Sequence, residues 1–482
     1  MGGAAWWATS REATPAPPAQ PAPSQEKKAI AVLPFVNMSS DAENEFFSDG
    51  ISEDLITALS KVSGLKVAAR TSSFAFKGRN EDIRAIGEQL GVSAVLEGSV
   101  AKAGDRVRIT AQLINVADGY HLWSESYDRE LKDVFAIRSE VAQTVAQALQ
   151  VELAAGERED IERRPTEDLE AYQLYLKARY AIASITTEGR NDAIAYLNEA
   201  VARDPNYARA HLGMAYYNLW SIDGWLPGSE GIPLARKSAE TALRLDPSLA
   251  EAHTWLGLAH WWYDGDRGTA RRELETAIAM QPDLASAHMV YGLFLVANEQ
   301  VEEGLAASRR AVALDPLSAD AHTWLGVNLY FAGRYDEAIS QLQATAARGP
   351  APYARLWLGR AYARVRRFPE AIAELSDVLK TEDIPEYESA LGRVFADAGN
   401  TEQAKAVLAH LLERRREQFV SASFVATVQI GLRDVDGAFA SLEQAASERS
   451  YYVPWWKIDP DLEPLRSDPR FPALLKRAGF EP

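Results

Sequence analysis

Hydrophobic residues follow two different periods along the chain, and the change between them divides it in two. Between residues 29 and 156, short apolar runs and period-two segments alternate with helix-like stripes. From residue 168 onward, almost every segment carries the 3.6-residue period of a helix. The first region therefore predicts a mixed strand and helix structure, and the second predicts an all-helical one.

The apolar pattern of 29–156 predicts the element order βαβαβββα. The predicted strands are 29–35, 65–69, 94–102, 106–116 and 120–127, and the predicted helices begin near Ser48 or Asp49, at Asn80 and at Val134. Gly104-Asp105 and Asp118-Gly119 separate the last three strands as tight turns, so these strands form two hairpins. This order predicts a layered α/β or α+β sandwich.

The second region repeats itself at a nearly constant spacing. Prolines recur at intervals of 42, 35, 34 and 34 residues, at Pro205, Pro247, Pro282, Pro316 and Pro350. A small residue follows nine or ten positions after each proline: Ala215, Gly257, Gly292, Gly326 and Gly359. Two antiparallel helices per repeat need small side chains where their backbones cross. The pattern predicts about eight helix pairs over 168–455.

The phrases GRYDEAI (333–339) and DPLSADAHTWLG (315–326) are similar to the signature of tetratricopeptide repeats. This resemblance implies an all-α superhelical solenoid with a concave groove. The first region, including IAVLPF and EQLGVSAVLEGSV, resembles the TolB amino-terminal-like (FlgO-type) domain almost from end to end. In that family the module stands before tetratricopeptide repeats in bacterial membrane-bound signalling proteins of the CadC-like or adenylate-cyclase-associated kind. The family is best viewed as an interaction domain, so the resemblance implies little about activity.

Three shorter segments complete the predicted organisation: an Ala/Pro-rich leader (1–28), a linker (157–167) and a capping segment (456–482). The leader has neither the basic nor the apolar part of a signal peptide. Its Trp6 and Trp7 are either two stray tryptophans or the interfacial end of a membrane span that is missing from the chain. With such an anchor upstream we expect an extracytoplasmic, periplasmic location, and without one a cytoplasmic location.

Composition narrows the classes of function. The chain carries 51 basic and 68 acidic residues, a formal charge of −17, so it lacks the positive field that nucleic-acid binding requires. It has no cysteine, which excludes disulfides, thiolate metal sites and a cysteine nucleophile. No HExxH, GxxxxGK[ST], GxGxxG or GxSxG motif occurs, so we predict a protein with neither catalytic residues nor a cofactor.

One candidate anion site lies after the second predicted strand, in a polar and basic loop. Asp49-Gly50 begins the neighbouring helix, and a helix N-terminus beside the strand ends of an α/β sheet can hold an anion. The loop residues are Arg70, Ser72, Ser73 and Lys77. The alternative is that the hydroxyl groups satisfy local backbone atoms and Arg70 pairs with a carboxylate.

Four histidines recur in the phrase Ala-x-Ala-His, at His211, His253, His288 and His322. Equivalent positions of neighbouring repeats lie roughly 8–10 Å apart per helix, too far for shared ligation of a metal at about 2 Å. Packing explains the ladder better, and we predict no metal site.

The strongest candidate site is the concave groove that the tetratricopeptide resemblance implies. Aromatic and charged residues occupy the groove positions of that family: Arg209, Tyr216, Trp220, Glu251, Trp261, Trp262, Tyr330, Phe331, Arg360 and Arg364. Aromatic and arginine side chains are the usual anchors of protein interfaces. The competing interpretation is that these side chains fill the packing between repeats.

Two functions follow. The first is a non-catalytic scaffold whose groove binds a peptide or protein. The alternative is the sensory or regulatory half of a membrane-anchored transcription regulator or nucleotide cyclase, with its output domain outside this chain.

Overall fold

The computed structural model describes residues 27–183 and 187–480. The predicted leader, with Trp6 and Trp7, therefore lies outside the described residues except at its last two positions. Among the helices that the structure describes, none combines the length and apolar character needed to cross a bilayer.

A six-stranded mixed sheet forms the N-terminal module. Its strands are β1 (Lys28–Val32), β2 (Val36–Asn37), β3 (Leu65–Val67), β4 (Ala94–Ala103), β5 (Arg106–Asn115) and β6 (His121–Glu130). The order is β3-β1-β4-β5-β6, with β2 also paired to β4. β1 is parallel to β3 and β4, whereas β4, β5 and β6 pair antiparallel as the two hairpins predicted from the turns. Gly104 and Gly119 have φ values of 55° and 75°, as such turns require.

Five helices belong to this module: α1 (Glu45–Ser60), α2 (Arg70–Phe74), α3 (Ile83–Leu90), α4 (Val134–Ala148) and α5 (Ala155–Glu162). α1 and α4 cover one face of the sheet, and α3 covers part of the other. Three predictions need correction. α1 starts at Glu45, after a 3₁₀ turn, so Ser48 and Asp49 lie inside it. Asp82 rather than Asn80 caps α3, because its carboxylate accepts from the Arg84 N–H.

The third correction concerns the predicted polar loop after the second strand. Residues 70–74 form the short helix α2 instead.

The rest of the chain is an all-helical solenoid. Eight antiparallel helix pairs are formed in the described part of the chain, by α6 (Leu169–Ala183), α7 (Thr187–Arg203), α8 (Ala208–Trp220), α9 (Gly228–Leu245), α10 (Ala250–Ala259), α11 (Arg267–Met280), α12 (Ala285–Ala297), α13 (Val301–Leu314), α14 (Ala319–Phe331), α15 (Tyr335–Ala346), α16 (Pro352–Arg364), α17 (Phe368–Val378), α18 (Pro385–Asp397), α19 (Thr401–Glu417), α20 (Ala422–Gly431) and α21 (Val435–Glu448). A π-helical turn, His260–Asp264, extends α10.

The small residues lie where the two helices of a pair cross. A Cβ atom added at Gly326 would come within 2.5 Å of Leu342, and one at Gly359 within 2.6 Å of Leu375. Because real Cβ contacts are longer than this, a larger residue would push the facing leucine aside, so these positions need a small residue; the buried Ala215 occupies the equivalent position in an earlier repeat.

Three of the four ladder histidines bond to the turn before their own helix. Nε2 of His211, His288 and His322 lies 2.9–3.0 Å from the carbonyl of the proline six residues earlier. His253 instead places Nδ1 2.7 Å from Glu273. Three of the four recurring histidines are thus tied to the turn of their own repeat.

The chain after the last pair turns back over the solenoid. It contains two 3₁₀ helices, Val453–Trp455 and Pro460–Leu465, followed by α22 (Arg470–Arg477). α22 packs on α21 through Phe471 and Leu474. We call residues 450–465 the strap, because they cross from the last repeat to the inner helices of earlier ones.

Candidate functional site

The strap packs against the first helices of several repeats, which the tetratricopeptide resemblance places on the concave side, and it covers aromatic side chains predicted to line a groove. Phe331 stacks on Trp455 with ring centroids 4.3 Å apart, and Trp261 meets the same ring edge-on at 5.8 Å. Trp261, Trp262 and Phe331 are 3, 6 and 8% exposed, and Tyr330 is fully buried. These four residues are therefore core residues here and do not face an open groove.

Three arginines of the solenoid converge on one aspartate of the strap. Arg360 Nη2 donates to Asp461 Oδ2 at 2.7 Å, and Arg364 Nη1 lies 3.5 Å from Oδ1. Arg393 donates to the Asp461 carbonyl at 3.2 Å. Burial alone would raise the pKa of Asp461, but the arginines hold that pKa well below its usual range.

The neighbouring Asp459 behaves in the opposite way. Burial, followed by repulsion from Asp461, raises the pKa of Asp459 to about 6.

Arg393 was not among the predicted groove residues. It follows Gly392 directly, just as Arg360 follows Gly359, so the repeat register contains the signal that would have identified it.

Two tyrosines anchor the start of the strap to one glutamate. The hydroxyls of Tyr451 and Tyr452 each donate to Glu386 Oε1 at 2.6 Å. Burial raises the pKa of Glu386 even though both hydrogen bonds favour its ionised form.

The far end of the solenoid closes onto the same point. Asp223 lies in the segment between α8 and α9, within the long spacing noted in the sequence, and its Oδ2 accepts from Ser450 Oγ at 2.5 Å and from the Tyr451 N–H at 3.0 Å. Asp223 is fully buried, and its Oδ1 has no hydrogen-bond partner among the described residues. Burial raises the pKa of this carboxyl to about 7.

The remaining predicted groove residues face the N-terminal module or the aromatic interior. Arg209 Nη1 donates to Asp54 of α1 at 2.8 Å. Tyr216 packs on Trp220, and Trp220 reaches Trp324 of α14 at 5.8 Å between centroids. Glu251 is half-buried, and burial raises its pKa against the opposing charge of Arg179.

The predicted anion-site residues are engaged by carboxylates. Arg70 pairs with Glu53, and Lys77 Nζ lies 2.6 Å from Asp49 and 2.8 Å from Glu45.

The hydroxyl groups of the same segment behave differently. Ser72 Oγ donates to Asp315 of the solenoid at 2.5 Å and accepts from the Leu317 N–H, while Ser73 is fully buried. This segment therefore docks the module on the solenoid, and its two cations are not free to hold an anion.

A small cleft remains beside the strap, with room for about one water molecule. Its wall includes Arg360, Arg393, Glu386, Ser389 and Tyr452. The groups that hold the strap thus also line the little space left next to it.

Two family models match parts of the chain. Residues 26–147 match the second domain of HilA/YgeH-like transcriptional regulators. Residues 262–319 and 325–385 match the tetratricopeptide repeat. The TolB-like assignment of the first region is not confirmed by these matches.

One curated relative is a Rhizobium meliloti (strain 1021) protein named "Putative adenylate cyclase 3". It is 45% identical over 248 residues, which are 51% of this chain and 42% of the relative. The chain thus spans less than half the length of that protein.

Solved structures with similar folds include a thermophilic tetratricopeptide protein of Thermus thermophilus, which is 22% identical over 38% of this chain and 98% of its own, with a TM-score of 0.34. The APC/C hetero-tetramer Cut9–Hcn1 covers 72% of this chain and 76% of its own at 14% identity and a TM-score of 0.45. The chain combines a HilA-like N-terminal domain with tetratricopeptide repeats.

Proposed function

We propose that the chain is a non-catalytic interaction protein whose solenoid binds a peptide segment of a partner on its concave face. One observation carries this proposal: the concave face already holds a segment of polypeptide, the strap. The strap is held through arginine, tyrosine and tryptophan, the residue types that dominate binding energy at protein interfaces.

The strap also indicates what a partner segment would look like. It presents an aromatic ring at Trp455 and, six residues later, a carboxylate at Asp461. An acidic segment with an aromatic anchor would satisfy the same arginines and the same ring contacts.

A partner that uses these contacts must displace the strap. A tethered segment competes at an effective concentration in the millimolar range, so the intact chain binds a competing peptide weakly. Release of the strap is then the step that exposes the binding face.

A labelled peptide with the sequence of residues 450–465 tests this proposal. We expect it to bind the full chain carrying Trp455→Ala and Asp461→Ala, because these changes loosen the tethered copy while the arginines remain. Binding to wild type should be at least about tenfold weaker. Fluorescence anisotropy measures both, with circular dichroism to show that the variant is folded.

The matched control is a peptide in which the positions of Trp455 and Asp461 are alanine. Equal affinity of the two peptides for the folded variant would rule out recognition through these anchors, as would no binding of either.

The likeness to the rhizobial protein favours a second candidate function, the sensory or regulatory half of a larger signalling protein. The 45% identity over 248 residues and the HilA-like match both point towards signalling proteins. In this proposal the module and solenoid receive a signal and pass it to a cyclase or DNA-binding output domain.

Two measurements separate the candidates. The purified chain should form no cyclic AMP from ATP with Mg²⁺ or Mn²⁺, and turnover would contradict a non-catalytic role. An in-frame output domain in the flanking coding sequence would favour the regulatory candidate.

A further inference from the structure

The open edge of the N-terminal sheet offers a second interaction surface. β6 is the last strand in the order β3-β1-β4-β5-β6, and it pairs with β5 on one side only. In the described part of the chain, no backbone group of another segment bonds to its other side. An unpaired strand of this length is a template for another strand.

The hydrogen bonds between β5 and β6 show which residues of β6 point their backbone N–H and C=O groups towards the open edge. The Leu131 N–H donates to the Asp105 carbonyl at 2.7 Å, in register with the pair Arg106–Glu130. Backbone groups alternate in direction along a strand. Ser124, Ser126 and the other even-numbered residues up to Glu130 therefore point their N–H and C=O groups outward.

Proline, which would block pairing at the edge, is absent from the strand. Most of its side chains are exposed, and its charges are mixed in sign: Glu125, Asp128 and Glu130 against Arg129. Two exposed apolar side chains stand at its beginning, with Tyr120 74% and Leu122 45% exposed. Along the described β5–β6 ladder the register shifts once, at Leu113/Ile114, opposite the start of β6.

The side chains of β6 complement a second copy of themselves. Antiparallel two-fold pairing with the greatest overlap centres either on Glu125, with residues 121–129 paired, or on Ser126, with residues 122–130 paired. The first register sets Glu125 directly opposite its own copy, which like-charge repulsion disfavours.

The second register sets no like charges opposite each other. Trp123 meets Arg129, Ser124 meets Asp128, and Leu122 meets Glu130 of the other copy. A guanidinium beside an indole and a hydroxyl beside a carboxylate both attract, in addition to the pairs that Arg129 makes with Glu140 and Asp128 makes with Arg108 in its own copy.

We propose that two copies of the chain pair through β6 around Ser126 and form one continuous sheet. This surface is separate from the concave face, so it holds whether or not the solenoid binds a peptide. A strand pair alone is smaller than a standard interface, so the dimer should depend on concentration.

The absence of cysteine makes the register directly testable. In this register Ser126 faces its own copy at a Cα separation of about 5.5 Å, within the range of a disulfide. Full-length Ser126→Cys should oxidise to a covalent dimer. Ser124→Cys should not form a covalent dimer, because position 124 lies opposite residue 128 of the other copy, four residues away from its own equivalent. Equal cross-linking of both variants, or cross-linking of neither, would overturn the proposal.

A second measurement tests the edge itself by light scattering. Wild type should approach twice 53.0 kDa at chain concentrations up to about 100 µM. Ser126→Pro removes an outward N–H and the hydroxyl contact with Thr110 but no hydrogen bond of the β5–β6 ladder, so it should stay folded and monomeric. Ser126→Ala loses the same contact with Thr110 and should still dimerise. A monomeric wild type, or a folded proline variant that dimerises, would refute the pairing.

Discussion

Asp223 is a single residue at which distant parts of the chain meet. It has a φ of 64° and accepts hydrogen bonds from Ser450 and Tyr451, more than two hundred positions away in the sequence. The nearby Glu386 opposes its ionisation, and burial opposes it more. A carboxyl in this position prefers to be protonated when the chain is folded.

The raised pKa makes stability depend on pH. Between the ordinary pKa of 3.8 and the folded value of about 7, the native chain keeps a proton that the unfolded chain has lost. The free energy of unfolding therefore falls as pH rises through this window. Asp223→Asn keeps a neutral hydrogen-bond acceptor and tolerates the positive φ. Because asparagine does not ionise, the variant should not lose stability at this position as pH rises.

We expect the free energy of unfolding of Asp223→Asn to exceed that of wild type by at least about 1 kcal/mol at pH 8. At pH 4 the two proteins should have nearly the same free energy of unfolding. Thermal unfolding followed by circular dichroism at both pH values measures the difference. Asp459 also titrates in this window. Because both proteins contain it, its contribution cancels in the difference between their free energies of unfolding. A constant gap between the two proteins at all pH values would assign the effect to packing instead.

At the scale of elements, the solenoid was predictable and the strap was not. Each repeat is a local unit, so the prolines and the small residues at helix crossings indicate it directly. The strap depends on contacts between distant positions, such as Asp461 with Arg360, 101 residues apart. No local pattern encodes such a pairing, and the groove residues were accordingly predicted to be open.

The module shows the same division between local and distant signals. Its hairpins followed from Gly104 and Gly119, whereas the role of Ser72 depends on Asp315, 243 positions away. The sequence predicted either an anion site or local backbone hydrogen bonds for Ser72, because a polar, basic segment looks alike whether it binds a ligand or a neighbouring helix pair.

The strap should detach when its central carboxylate is removed. Asp461→Ala leaves the buried Arg360 without its partner carboxylate, whereas Arg393 keeps Asp397 and Arg364 keeps Glu463, and breaking a buried pair costs about 3–5 kcal/mol. We expect tryptic cleavage after Lys457 to accelerate by at least about tenfold, because cleavage requires local opening. Asp468→Ala, which removes a surface pair with Arg470, should leave that rate unchanged.

Strap cleavage at the wild-type rate in a folded Asp461→Ala chain would show that the aromatic contacts alone hold the segment. Mass spectrometry of the fragments identifies the site.

The whole molecule is held together by two closures. At one, the strap joins the last repeat to Asp223; at the other, α1 and α2 of the module contact several repeats. Tyr172 and Leu176 of α6 even belong to the module's core. The two regions that differ in their hydrophobic period are thus packed as one body.

This packing predicts that the module and solenoid unfold together, and Asp54 is the residue that tests it. Asp54 is buried and accepts from Tyr172 Oη at 2.7 Å and from Arg209 at 2.8 Å. Asp54→Asn leaves Arg209 buried without a counter-ion, which should cost about 3–5 kcal/mol. Glu81→Gln, which removes a surface pair with Arg79, should cost less than about 1 kcal/mol.

Differential scanning calorimetry distinguishes the outcomes. Wild type and Glu81→Gln should show one unfolding transition, because the module cannot separate from the solenoid without exposing the hydrophobic core that it shares with α6. Asp54→Asn should show an earlier transition that separates module from solenoid, since the charge that joins α1 to α8 is gone. A single, unshifted transition in Asp54→Asn would mean that apolar contacts such as Leu176 hold the closure without the ion pair.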